Sequence, residues 1–503
     1  MISFPLLPGS VTSVQDVQLI QDLLGPVTST RHPATSEGAE APLPSSQSDQ
    51  SATTASLHLT TRTALAVPIG TPALAQGATD PAELVSRHTT GVDMSLVERA
   101  TRAPAEMPPL LARLHERFCE EDAFVQVNRD GWGDPQQVYV WDMASFGGYL
   151  YASTLNLDGT QSAASGVEGA AAIYRWDGSG AWEVVTTTGL GNENNDGFRR
   201  LFEWNDMLYT VTLNDTEGGE IWRSADGMNW EQVVSGGFND PSNLAIRDLI
   251  DYNGKLYATV QNDGTGGGEI WRSPDGETWV QVAGFSGGGA ANSSVHTLME
   301  FDGFLYAGTR NTVNGAQIWR SADGMSWEQA VGPNSAEGSG FGNANNTVIF
   351  QMIEFGGALY ATTANPEDGF GMFRSLDGLN WEQVGAYGFG DPDQHFGWRM
   401  QVFEGALWLG TANDDPEKGA ALWRSEDGVT WGQLVGGDGT YDDWGFGTDA
   451  NWGVRSFAIH EDELYIGTAN MPYNEQGLEA TGAEIYVWTD PDPVSTMEHD
   501  MMI

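Results

Sequence analysis

An internal repeat of about fifty residues limits the fold more than any other feature of this 503-residue chain. A hydrophobic landmark recurs at Leu150-Tyr151, Leu208-Tyr209, Leu256-Tyr257, Leu305-Tyr306, Leu359-Tyr360, Leu407-Trp408 and Leu464-Tyr465. Most copies are followed by an aromatic strand such as Ile221-Trp222-Arg223 and then by Ser-x-Asp-Gly-x-x-Trp. That second landmark places Asp226, Asp275, Asp323, Asp377 and Asp427 at equivalent positions, with a degenerate copy at Asp177/Gly178/Trp182. Periods of this length mark units that cannot bury both faces alone and must stack on their neighbours.

Within each copy, period-two alternation is broken by Gly, Asn and Asp turn chemistry, which predicts four short antiparallel strands, for example Leu249–Tyr252, Leu256–Val260, Glu269–Ser273 and Trp279–Val282. Seven such sheets arranged radially share one core, so the expected fold is an all-β, seven-bladed β-propeller over residues 123–490. The seventh copy, Arg455 to Asp490, supplies only three strands. Phe124-Val125-Gln126-Val127 matches the outer-strand pattern Trp230-Glu231-Gln232-Val233 and is expected to complete that last sheet, removing exposed edges.

Composition agrees with a turn-rich β protein: 64 glycines and 19 tryptophans accompany only 18% charged residues. The charge is lopsided, with 69 acidic against 22 basic side chains and a net charge of −47, which repels a phosphate backbone and argues against nucleic acid as a partner. Lysine occurs only at Lys255 and Lys418, so the positive charge is almost all arginine. A single cysteine, Cys119, excludes an intramolecular disulfide, and no Cys/His spacing suits a structural zinc. No apolar run is long enough to span a membrane as a helix, and a monomer is expected.

Residues 1–122 are rich in Ser, Thr, Pro and Ala and are expected to be mostly disordered, with a short amphipathic helix near 108–118; the tail 491–503 is treated alike. Arg62, the apolar stretch Ala64–Ile69 and the Ala73-Leu74-Ala75 box before Gln76-Gly77 resemble a secretory signal displaced from the first Met, which suggests an extracellular protein.

The Ser-x-Asp-Gly-x-x-Trp motif resembles the Asp-box, or BNR, turn of sialidases and related propellers, shortened by one residue. The resemblance covers roughly three quarters of the chain. It implies a structural role for Asp226 and its equivalents, in turns between third and fourth strands on the face opposite an active site. Physically, the carboxylate can accept backbone N–H bonds, Gly227 permits the turn, and Trp230 packs over it.

A site is expected where the repeat breaks its own symmetry. Repeated amides, such as Asn195, Asn243 and Asn346 before the landmark and Asn214, Asn262 and Asn365 after it, read chiefly as loop caps. At the start of the inner strands, however, stand Trp141/Asp142, Arg199/Arg200, Arg247/Asp248, His296, Phe350, Trp398/Arg399 and Arg455. Five arginines at one level near the axis point to bidentate binding of carboxylate, sulfate or phosphate, with Trp141 and Trp398 as flat surfaces. The competing reading pairs them with loop carboxylates such as Asp196, Asp391 and Asp393.

Two functions follow: a secreted binding or scaffold module for an acidic glycan or other small anion, or a sialidase-like hydrolase or polysaccharide lyase acting on acidic sugars. The sialidase resemblance implies three arginines for a substrate carboxylate, available here in Arg200, Arg247 and Arg399 or Arg455. Phe198-Arg199-Arg200-Leu201 departs from the family's Phe/Tyr-Arg-Ile-Pro, and no Tyr/Glu nucleophile pair carries over. Asp142, Asp248, His296 and His395 are the candidates for proton transfer. No cofactor is predicted; Asp-rich loops such as Asp438 to Asp443 would suit a Ca²⁺, although Asp there reads first as turn-forming.

Overall fold

The computed structural model describes residues 123–156, 170–262, 266–285, 292–415, 417–437, 439, 441–470 and 480–489. The signal-like segment, the helix near 108–118, Cys119, Asp438 and the C-terminal tail lie outside them. The described chain is all-β, and its strands pair in antiparallel quartets. In the third quartet, Ala245–Tyr252 pairs with Lys255–Gln261, which pairs with Glu269–Ser273, which pairs with Val280–Gly284. The inner strand begins four residues earlier than the alternation alone predicts, because it includes the stretch that carries the arginines.

The innermost two strands of each quartet make a ring. The end of every second strand touches the start of the next inner strand: Leu155 with Gly197, Leu213 with Ala245, Gln261 with Ser294, Arg310 with Val348, Ala364 with Phe396, and Ala412 with Gly453. Ala469 pairs with Tyr139 and closes the circuit, giving a closed antiparallel, propeller-like ring of fourteen strands. The last quartet takes its outer strand from the other end of the chain. Phe124, Val125 and Gln126 pair with Trp488, Val487 and Tyr486.

Packing follows the landmarks. Leu150, Leu208, Leu256, Leu305, Leu359, Leu407 and Leu464 are all fully buried between quartets. The tyrosines beside them reach under the neighbouring quartet's Asp turn: a Cβ built on Gly227, Gly276, Gly324, Gly378 or Gly428 would overlap the hydroxyl of Tyr151, Tyr209, Tyr257, Tyr306 or Tyr360. Glycine is needed there for space as well as for its positive φ, +70° at Gly324. The turn carboxylate does the rest. Asp226 Oδ1 accepts the backbone N–H groups of Met228 (2.9 Å) and Asn229 (2.7 Å), and the same pair of bonds recurs at Asp275, Asp323, Asp377 and Asp427.

The repeated amides cap loops. Asn195, Asn243, Asn346 and Asn451 each donate to the carbonyl of the glycine six residues earlier. Asn214, Asn262 and Asn365 donate in turn to the side-chain oxygens of Asn195, Asn243 and Asn346. Four of the aromatic-strand arginines, Arg175, Arg223, Arg320 and Arg374, are spent in cross-strand ion pairs on the outer strands, as in Arg320–Glu328 (2.6 Å) and Arg374–Glu382 (2.5 Å).

Candidate functional site

Each inner strand carries a β-bulge, and all seven fall at one level of the ring. The pairing register slips between Val140 and Asp142, Phe198 and Arg200, Ile246 and Leu249, Val295 and Thr297, Ile349 and Gln351, Gly397 and Arg399, and Val454 and Ser456. A bulge adds one residue against its partner strand and re-aims its side chain. The extra residues are Trp141, Arg199, His296, Phe350, Trp398 and Arg455, with Arg247 beside Asp248 in the third quartet. Together with Asp248 and Arg399 they line one axial cavity of about 20 Å³.

The cavity divides chemically into two arcs. On one side, Arg199, Arg247 and His296 are neighbours. Arg247 Nη2 lies 2.5 Å from His296 Nε2, and Arg247 Nη1 bonds the side-chain oxygen of Gln261. An arginine can only donate, so His296 Nε2 accepts and the imidazole is neutral with its proton on Nδ1. Burial, followed by the Arg247 charge, holds its pKa far below the usual histidine range. On the other side, Phe350, Trp398 and Trp141 supply ring faces. The Arg199 guanidinium sits 4.1 Å from the Trp141 ring and the Arg455 guanidinium 5.1 Å from that of Trp398. Trp141 and Trp398 are buried, so their faces serve these cations and the core rather than an open stacking surface.

The arginines fall into two sets. Arg200 is paired with Asp142 (3.1 Å) and Asp248 (3.2 Å), and Arg399 with Asp142 (3.4 Å). Their partners are therefore inner-strand carboxylates, whereas Asp391 pairs with Lys418 at 2.9 Å. Asp142 and Asp248 are buried and also accept the backbone N–H groups of Leu201 and Leu298 in the adjoining quartet, both at 2.9 Å. They tie quartets together. Arg199, Arg247 and Arg455 form no ion pair among the described residues. Burial and mutual repulsion depress all three; Arg455 is pushed down to about 9 by burial and by Arg399. Guanidinium remains the protonated form at neutral pH, so this cost stands as an attraction for negative charge.

Buried hydrogen-bonding groups point the same way. Trp141 Nε1, Arg199 Nε, Arg199 Nη2 and His296 Nδ1 are buried without a partner among the described residues, and all are donors. An acceptor or an anion is what such a lining can hold.

His395 stands apart from the cavity lining. Its Nδ1 is 2.6 Å from Asp414 Oδ2, which fixes the ring's orientation. Asp414, Arg455 and Arg199 all act electrostatically on the buried Tyr139, whose hydroxyl burial pushes above the usual tyrosine range. Arg310 and Gln261 are contributions that the sequence reading missed. They end second strands at a position filled elsewhere by Leu155, Leu213, Ala364, Ala412 and Ala469. Two adjacent polar residues in an otherwise apolar register were the available signal. Among the described residues no group of three His, Cys, Asp or Glu gathers as metal ligands, and no helix is long and apolar enough to cross a membrane.

No protein-family profile and no curated protein matches the chain. Among solved structures, the GH74 xyloglucanase from Xanthomonas campestris is 15% identical over 69% of this chain and 52% of that one, so the chain spans about half its length, with a TM-score of 0.46. An ulvan lyase of polysaccharide lyase family 25 is 12% identical over 73% and 96% of the two chains, with a TM-score of 0.42. The β-propeller domain of the trilobed protease from Pyrococcus furiosus is 10% identical over 70% and 95%, at 0.40. At these scores the fold assignment rests on the chain's own strand pairing.

Proposed function

We propose that the chain is a seven-bladed propeller of the Asp-box type, over residues 123–490, acting as a secreted binding module for an anionic group carried on a glycan. The observation that carries this reading is the axial cavity: among the described residues, buried donors of Trp141, Arg199 and His296 lack acceptors, beside three arginines without carboxylate partners, in a chain of net charge −47. A basic focus inside an acidic molecule is costly unless a negative ligand offsets it. The small size of the cavity, about 20 Å³, limits what enters to a small anion or the tip of the carboxylate or sulfate head of a larger acidic sugar.

Titration calorimetry with glucuronate, sulfate and chloride tests this at two salt concentrations. Saturable binding that weakens about tenfold or more in Arg247→Ala and in Arg199→Ala is expected. Uptake of none of the three anions by the folded wild type, or uptake indifferent to both substitutions, would refute the reading.

A hydrolase or lyase acting on acidic sugars is the second reading, and the His395–Asp414 pair is what favours it. A carboxylate-oriented imidazole is the usual equipment for proton transfer. Product release from uronic or sulfated polysaccharides, abolished by His395→Ala with anion binding retained, would separate an enzyme from a binding module.

A further inference from the structure

A second cavity lies far from the axis, and its origin is a break in another repeated device. Five residues before the capping amide, the chain places a large apolar residue with positive φ: Trp132, Leu190, Phe238, Phe341, Phe389 and Phe446 before Gln137, Asn195, Asn243, Asn346, Gln394 and Asn451. Such φ values are uncommon for aromatic residues and persist where packing over-determines them. The packing is visible. Trp132 stacks on Tyr174, Phe238 on Trp271, Phe341 on Phe373 and Phe446 on Tyr486, at centroid distances of 3.8–4.3 Å and within 12° of parallel. These four lids cover the third-strand aromatic of their quartets, and Phe389 meets Trp423 edge-on at 5.0 Å and 71°.

The fourth quartet departs from this. Five residues before Asn292 the sequence has Gly287, which lies outside the described residues, and the nearest aromatic is Phe285. Phe285 meets Trp319 at 5.2 Å and a tilt of 51°, so it does not stack on the indole. Beside Trp319 lies a cavity of about 440 Å³, lined also by Trp327, Gln317, Gln329 and Asn334 and, among the described residues, by no charged one.

The polar lining has changed in step. The residue two before the third-strand aromatic is Glu220, Glu269 or Glu484 in three other quartets, each accepting from the capping Asn and, in turn, from Trp222, Trp271 or Tyr486. In the fourth quartet it is Gln317. Its Oε1 takes the same bonds, from Asn292 (3.0 Å) and Trp319 Nε1 (3.1 Å), and a third from Gln329 (3.1 Å). The Gln317 amide nitrogen donates to no protein group among the described residues. The carboxylate of three other quartets is thus replaced here by a neutral amide with donors to spare, in a quartet whose sequence has Gly287 at the position of the lid residue.

We propose that this cavity is a binding site for one neutral pyranose unit of a glycan, held against Trp319 and hydrogen-bonded by Gln317, Gln329 and Asn334. The volume falls within the range of small-ligand pockets, about 300–1,000 Å³. An aromatic face suits the C–H face of a pyranose, and amides match hydroxyls because both donate and accept. The absence of charge from the lining selects against the anionic groups assigned to the axis, and the site stands whether or not the axial reading does.

The test titrates the full chain with cellotetraose, laminaritetraose and mannotetraose by calorimetry and saturation-transfer NMR. At least one binds saturably at millimolar concentration or below, and Trp319→Ala and Gln329→Ala each weaken it about tenfold or more while Arg247→Ala leaves it unchanged. Circular dichroism checks each variant's fold; if Trp319→Ala does not fold, Gln329→Ala, on an outer strand, decides. No saturable binding of any of the three would overturn the proposal. So would binding that Arg247→Ala removes and Gln329→Ala does not, since that ligand would sit at the axis.

Discussion

At Gly324 two demands meet. Its φ of +70° is one that side chains avoid, and the hydroxyl of Tyr257, from the preceding quartet, fills the space a Cβ would need. Gly324→Ala is therefore expected to cost about 2–4 kcal/mol, read as a lower urea midpoint with an unchanged slope. Tyr257→Phe in the same background should recover part of that loss, because it removes the atom that clashes. The landmarks Leu-Tyr and Asp-Gly, which look like separate signatures along the sequence, are thus two halves of one contact between neighbouring units.

The element that answers to pH is the Asp turn. Asp275, Asp323 and Asp427 are held at about 2, below the usual carboxylate value, chiefly by the backbone N–H groups they accept. A folded-state pKa lowered in this way gives stability that is fully present above the unfolded value near 4 and lost as pH falls through 2. The difference in melting temperature between wild type and Asp323→Ala should accordingly be constant from pH 7 to 5 and shrink between pH 4 and 2. Comparing the two chains cancels the general easing of acidic self-repulsion over the same range. The turns and strands were legible because each is local: alternation, glycine and aspartate speak for residues a few positions apart. The bulges were not. A bulge exists only relative to a partner strand, so the sequence located Arg199, Arg247, His296 and Arg455 by level but not the slip that turns them inward, nor the Asp142 and Asp248 pairing that removes Arg200 and Arg399 from the free set.

For the molecule as a whole, a charge of −47 makes self-repulsion the general electrostatic burden. Raising sodium chloride from low to physiological strength, where the screening length is about 8 Å, should raise the melting temperature by several degrees. The same salt should weaken anion uptake at the axis, so stability and binding should move in opposite directions, a pattern that calorimetry on one sample can read. Val125→Pro tests the ring closure: it inserts a residue that cannot donate into a three-residue strand paired with Val487, and a loss of about 2–3 kcal/mol is expected. That closing strand also sets a schedule. Ala123 and Thr489, bonded to each other at 3.0 Å, stand 366 residues apart, so during synthesis Phe124–Gln126 must wait until Ile485–Trp488 has been made. A chain stopped short of Ile485 can stack its early units but has nothing for Phe124 to pair with, and its ring stays unlatched. Closure of the ring thereby reports that the chain has been made through Trp488, and products ended before that point will present two open sheet edges to proteases.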